Sequence, residues 1–132
     1  MSKLLELKNI YASYAGAKVL EDVSIAIENN EILGLVGESG SGKSTTAKVV
    51  TGLLKPDSGS VVFNGRELTG KRDKDICRRI QMVFQNPEGS LNPKYKIGEI
   101  LYDAMHFHFR DMSRDEIESK CLSLIKRMEL PQ

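Results

Sequence analysis

Residues 34–46 read GLVGESGSGKSTT, a run that suits neither the interior of a strand nor that of a helix. Within it, Gly37-Glu38-Ser39-Gly40-Ser41-Gly42-Lys43-Ser44 has the spacing G-x-x-x-x-G-K-[ST]. Glycines let a backbone take left-handed conformations and pass close to a bulky anion. Successive N–H groups of such a loop turn inward and form a nest for anionic oxygens. A helix starting directly behind the loop aims its unpaired N–H groups, and the positive end of its dipole, at the same point. Lys43 adds a full positive charge. Ser44 adds a hydroxyl, a ligand that suits the oxygen-seeking magnesium ion. The spacing therefore predicts a loop that holds a nucleoside di- or triphosphate. The alternative is a flexible Gly/Ser connection, and the flanks argue against it.

Those flanks are ILGLV at 32–36, continuously apolar as in a strand covered on both faces, and a helical pattern from Thr45 to Leu54 that must end before Pro56. Upstream, Leu5 and Leu7 alternate with Glu6 and Lys8 in a strand-like segment that reaches Tyr14. Residues 23–27 alternate again after a turn near Ala15–Lys18, which predicts an antiparallel pair. SGSVVFNG at 58–65 and IQMVF at 80–84 read as further strands, and the mixed-charge KRDKD at 71–75 as a solvated loop or helix start. Beyond that, Ile97, Ile100, Leu101, Ala104, Met105 and His108 fall on one helical face. Ser113-Arg-Asp-Glu116 is a capping box, opening a last helix with Ile117, Cys121, Leu124 and Met128 on one side.

Composition narrows the function classes. The chain has 132 residues, 40% of them hydrophobic and 28% charged, which suits one folded domain and not wholesale disorder. A net charge of +1 offers no field for nucleic acid, so no nucleic-acid partner is expected. Cys77 and Cys121 lie far apart without a CxxC pairing and are expected to be free thiols. His106 and His108, two apart on a helix, do not face one another, so no metal pair is expected there. With neither a secretory peptide nor a spanning apolar run, a cytoplasmic protein is expected, still able to dock on a membrane protein.

Taken with LLELKNIYASY and the stretch QMVFQNPEGSLNP, the loop resembles that of the ATP-binding subunit of an ABC transporter. QNPEGSLNP is most similar to the subfamily that powers import of dipeptides, oligopeptides or nickel. The resemblance implies an α/β P-loop NTPase fold: a RecA-like core with an antiparallel β subdomain over 1–95, and the start of an α-helical subdomain over 96–132. It implies ATP and Mg2+ as cofactors. Tyr14 would stack on the adenine ring, with Tyr11 as the competing aromatic of less fitting spacing. Gly37 to Thr45 would be the Walker A loop, Lys43 reaching the outer phosphates, Ser44 the magnesium and Thr45 the α-phosphate. Gln85 would be the Q-loop glutamine, near magnesium and the attacking water and sensitive to the transmembrane subunits. Implied partners are a second ATPase subunit and permease subunits, with an extracytoplasmic solute-binding protein acting indirectly. The implied location is peripheral, on the inner face of the cell membrane.

The 132 residues contain no LSGGQ element, no apolar strand ending in Asp-Glu and no switch histidine in the expected region. The sequence thus resembles an amino-terminal portion of such a subunit. Phosphoryl transfer relies on positioning and charge neutralisation. The expectation is therefore weak MgATP binding without hydrolysis by these residues alone, and a tendency to associate or unfold. Two other readings remain open: a non-hydrolysing nucleotide-binding or regulatory module, and an ABC-type ATPase of DNA maintenance.

Overall fold

The computed structural model describes residues 3–130, which form two compact units that meet in sequence between Met82 and Val83. In the first unit, β1 (Lys3–Tyr14) and β2 (Ala17–Glu28) make the expected antiparallel hairpin. Next come α1 (Lys43–Thr51), β3 (Ser58–Phe63), the short β4 (Arg66–Glu67) and α2 (Lys74–Arg79). The sheet order is β2-β1-β3-β4, with every neighbouring pair antiparallel.

The hairpin solves a parity problem that its sequence carries. Leu5 and Leu7 sit at odd positions of β1, whereas Ile10 and Ala12 sit at even ones, yet all four pack in a single core. Strict alternation would send one pair to the opposite face. The register resolves it: Leu7 pairs with Ile25 and Ile10 with Val23, so β1 advances three residues while β2 advances two. The extra residue is a bulge at Asn9, whose φ is 47°. Asp22, at φ 51°, marks the compensating irregularity on β2, and Asn9 Nδ2 donates to Asp22 Oδ1 at 2.7 Å. Leu20 from β2, Val61 from β3 and Val49 from α1 complete the buried cluster.

Two segments differ from expectation. Residues 32–36 and 80–84 belong to no sheet, and Ile32, Val36 and Val83 are 97%, 93% and 94% exposed. An apolar run becomes a strand only when a neighbouring backbone takes its N–H and C=O groups. Among the described residues no neighbour does so. The charged stretch 71–75 also divides. Asp73 caps α2, accepting the Ile76 N–H at 2.9 Å, and that bond and the nearby Arg66 hold its carboxyl below the usual carboxylate range. Arg72 turns inward and makes structural bonds.

In the second unit a short 3-10 helix, Glu88–Ser90, precedes α3 (Ile97–His108) and α4 (Arg114–Arg127). The capping box forms as expected: Ser113 N donates to Glu116 Oε2 at 2.7 Å, and Glu116 N to Ser113 Oγ at 3.3 Å. The buried stripe of α4 is Ile117, Cys121 and Ile125; Leu124 and Met128 lie outside it. Counted from Ile117, both i+7 and i+8 fall on the apolar face of a helix, and the fold buries the i+8 residue, Ile125. On α3, Ile100, Leu101, Met105 and His108 are half-buried, whereas Ile97 and Ala104 are exposed. His108 Nδ1 is buried without a hydrogen-bond partner, and the exposed His106 ring stacks on Tyr102. Cys77 and Cys121 are both free thiols. Among the described residues no helix is long and apolar enough to cross a membrane, and no cluster of His, Cys, Asp or Glu could hold a metal ion.

Candidate functional site

The glycine-rich loop ends on Gly42, the N-cap of α1, with φ 94° and no side-chain cap bond. Two constraints require glycine there. The left-handed conformation disfavours any Cβ, and a Cβ built at this position would lie 2.6 Å from Leu20 Cδ2 and 3.2 Å from the Val19 carbonyl oxygen. The loop is thereby pressed against β2, which fixes where the first turn of α1 opens. Thr46 locks that turn. Its buried Oγ1 donates to the Gly42 carbonyl at 3.0 Å, alongside its own N–H at 2.8 Å. Sequence reasoning starts the helix at Thr45; it begins at Lys43, so its N-terminal amides lie directly behind the loop.

Lys43 folds back over the loop that precedes it. Its Nζ donates to the carbonyl oxygens of Gly37 and Glu38, both at 2.6 Å, and to Ser41 Oγ at 3.2 Å. An ammonium has three donors, and the loop engages all three. Ser41 N also donates to the Glu38 carbonyl at 3.2 Å, closing a turn through Ser39 and Gly40. A Cβ at Gly37 would meet Ser41 Oγ at 2.6 Å, so a side chain there would have to displace the hydroxyl that Lys43 engages. Residues 37–41 and Ser44 are exposed, and Thr45 is half-buried. The result is an exposed loop that carries a cation, with the first amides of α1 directly behind it. It has the donors to hold an anion, and a hydroxyl, that of Ser44, beside them.

The opposite end of α1 is anchored as well. Arg72 donates to the carbonyls of Val49 at 3.1 Å and Val50 at 3.3 Å, and also to those of Leu68 and Gly70. The Val49 carbonyl also accepts the Gly52 N–H at 3.2 Å, and a cation at this helix C-terminus complements the dipole. Gly52 leaves room for it, since a Cβ there would lie 2.7 Å from Arg72 Cγ. Nothing in the local sequence distinguishes Arg72 from its charged neighbours. Its acceptors on α1 lie 22 and 23 residues earlier, so only the tertiary fold identifies it.

Tyr14, the last residue of β1, is 57% exposed and lies in the same unit as the loop. Its ring carries the Lys48 ammonium of α1 at 5.2 Å from the centroid. The end of the strand is fixed by Ser13 Oγ donating to Asp57 Oδ2 at 2.7 Å and by Asp57 N donating to the Tyr11 carbonyl at 2.8 Å. Tyr11 itself sits inside the sheet ladder, opposite Ser58 of β3. Gln85 is exposed and belongs to the second unit, in the irregular segment that follows α2. That unit also carries an open groove of about 830 Å³, whose lining includes Tyr95, Tyr102, Leu122 and Ile125.

Comparison with known proteins bears on the family and the fold. The family model described as ABC transporter matches residues 20–132. The chain is 37% identical over 116 residues to the oligopeptide transport ATP-binding protein OppF of Escherichia coli, a match covering 86% of this chain and 35% of that protein. It is 33% identical to OppF of Bacillus subtilis, over 97% of this chain and 45% of the relative. It is 38% identical to the energy-coupling factor transporter ATP-binding protein EcfA2 of Acetivibrio thermocellus, over 87% and 40%. The chain thus spans less than half the length of these curated relatives. Among solved structures, an ATP-binding subunit of an ABC transporter superposes with a TM-score of 0.76 at 30% identity, over 96% of this chain and 51% of that one. A dimeric ATP-binding cassette in a post-hydrolysis state, bound to ADP and Pi, superposes with a TM-score of 0.77 at 27% identity, over 97% and 58%. With the loop, its helix and most of the chain in agreement, this protein belongs to the ABC transporter family, as an ATP-binding domain of the P-loop NTPase fold.

Proposed function

We propose that this chain supplies the nucleotide-binding part of the energising subunit of an ABC importer, with ATP as the nucleotide and peptides as the solute class. The observation that carries the reading is the uncapped start of α1 behind Gly42, with the Lys43 ammonium held over the same loop. Helix amides, a cation and a hydroxyl are the donor set that a triphosphate and its magnesium require. In this reading the amides of 39–45 cradle the phosphates and Lys43 moves from loop carbonyls to the outer phosphates. Ser44 holds the magnesium, which neutralises charge on the phosphates when bound. Thr45 lies near the α-phosphate, and Tyr14 stacks on the adenine.

Gln85 keeps the coupling role that the resemblance gives it, and the second unit is the part that would meet a permease. Residues 1–95 and 96–132 are assigned to core and helical subdomain on the same ground. The OppF relatives support peptides as the solute, and nickel is the second class that the QNPEGSLNP resemblance brings in. The EcfA2 relative favours a second reading, in which the same nucleotide site serves an energy-coupling factor transporter. A paired second ATPase subunit and a place at the inner membrane face complete the proposal. The residues assigned here bind and orient nucleotide; hydrolysis is not expected from them alone.

A thermal melt tests the reading directly. MgATP at about 100 times its Kd adds roughly 2.7 kcal/mol to the folded state, enough to raise Tm by several degrees in a small domain. An unchanged Tm at millimolar MgATP would mean that the loop does not receive the nucleotide.

A further inference from the structure

We propose that Lys48 is a positioning residue for the nucleobase, acting through Tyr14, and that it sets the preference for a base-bearing ligand over bare polyphosphate. The inference rests on the reading that Tyr14 stacks on the base. Tyr14 stands at the end of β1, next to the hairpin turn formed by Ala15 and Gly16, and its ring is largely in solvent. A ring so placed, with nothing on it, samples several rotamers, and a stacking ligand must freeze one of them. Lys48 supplies that restraint before any ligand arrives. Its ammonium lies 5.2 Å from the ring centroid, inside the range in which a cation is attracted to an aromatic face.

The tether has a second consequence, because of where Lys48 stands. It lies on α1, five residues after Lys43, which is about 7.5 Å along a helix axis. One rigid helix therefore presents its amides to the phosphates and its sixth residue to the base-stacking ring. The helix is fixed at both ends, by Gly42 against β2 and by Arg72 on the carbonyls of Val49 and Val50. Any change in the α1 position would move phosphate and base subsites together. Loss of the Lys48 ammonium alone would loosen only the ring.

That difference gives the test. The full chain and its Lys48→Met, Lys48→Arg and Tyr14→Ala variants are titrated with ATP and with tripolyphosphate at 0.15 M salt, and the ratio of the two Kd values is compared. Lys48→Met keeps the aliphatic stem and removes the charge. We expect it to reduce the preference for ATP over tripolyphosphate by about threefold, the size of one exposed cation–π contact. Lys48→Arg should restore the preference, and Lys48→Met should have no further effect in a Tyr14→Ala background. An equal loss for both ligands would mean that Lys48 acts through charge or through α1, and would overturn the proposal. So would an unchanged or increased ATP preference, the latter meaning that the ammonium obstructs the base. If Tyr14→Ala itself leaves the ratio unchanged, it is the base-stacking reading that fails, and the inference built on it fails for that separate reason.

Discussion

Lys43→Ala is expected to weaken ATP binding by roughly 10- to 100-fold, the range given by a lost hydrogen-bonding interaction to a charged group. The substitution removes the ammonium that the loop holds on the carbonyls of Gly37 and Glu38 and on Ser41 Oγ. The helix amides remain, so residual binding should persist and saturate. Fold should also persist, because Lys43 contributes nothing to the buried cluster of Leu7, Ile10, Ala12, Leu20, Val49 and Val61. Isothermal titration calorimetry of the variant, with its melting curve as a control, checks both halves. An ATP affinity within threefold of the parent would place the phosphates elsewhere.

The second large effect is on stability. Gly59, the second residue of β3, has φ 90° and lies across from the Asn9 bulge. A Cβ built there would lie 2.5 Å from the Lys8 carbonyl oxygen and would also run into that of Asn9, both of them backbone atoms. Unlike a side-chain tip, these cannot rotate away without breaking the β1–β3 ladder. Left-handed strain on a residue with a Cβ costs on the order of 1–3 kcal/mol before any clash is counted. Gly59→Ala should therefore lower Tm by about 10 °C or more. It should also depress ATP binding only in proportion to the unfolded fraction, since Gly59 lies outside the loop. A melt within 2 °C of the parent, a threshold of about half a kcal/mol in a small domain, would contradict the bulge account.

How far the sequence discloses this molecule depends on whether each feature is local. The loop from Gly37 to Ser44 is local: spacing, glycine and lysine suffice to predict a nest at a helix start. The hairpin of β1 and β2 is nearly so, because alternation marks both strands and Ala15-Gly16 the turn between them. Its bulge is visible only as the shift from Leu5 and Leu7 to Ile10 and Ala12, a parity change easily read as one continuous strand. The Ser113–Glu116 capping box is local and forms as spaced.

Features that depend on distant partners were not legible. ILGLV and IQMVF carry the composition of buried strands, but pairing needs a second backbone, and none of the described residues provides one. Arg72 and Lys48 look like ordinary surface charges until the fold sets them against the end of α1 and against Tyr14. On α4, Leu124 and Ile125 compete for the same face, and helical periodicity alone does not separate adjacent residues when the stripe drifts.

The central claim is that the backbone amides of residues 39–45, led by the open start of α1, receive the phosphates of ATP. Amide chemical shifts of the isotope-labelled chain, followed while MgATP is added, address it residue by residue. The account predicts saturable shifts concentrated on Gly40, Gly42, Lys43, Ser44 and Thr45, with Asn64 and Gly65 in the β3–β4 turn unmoved. Saturation accompanied by shifts elsewhere, with those five amides unchanged, would contradict it.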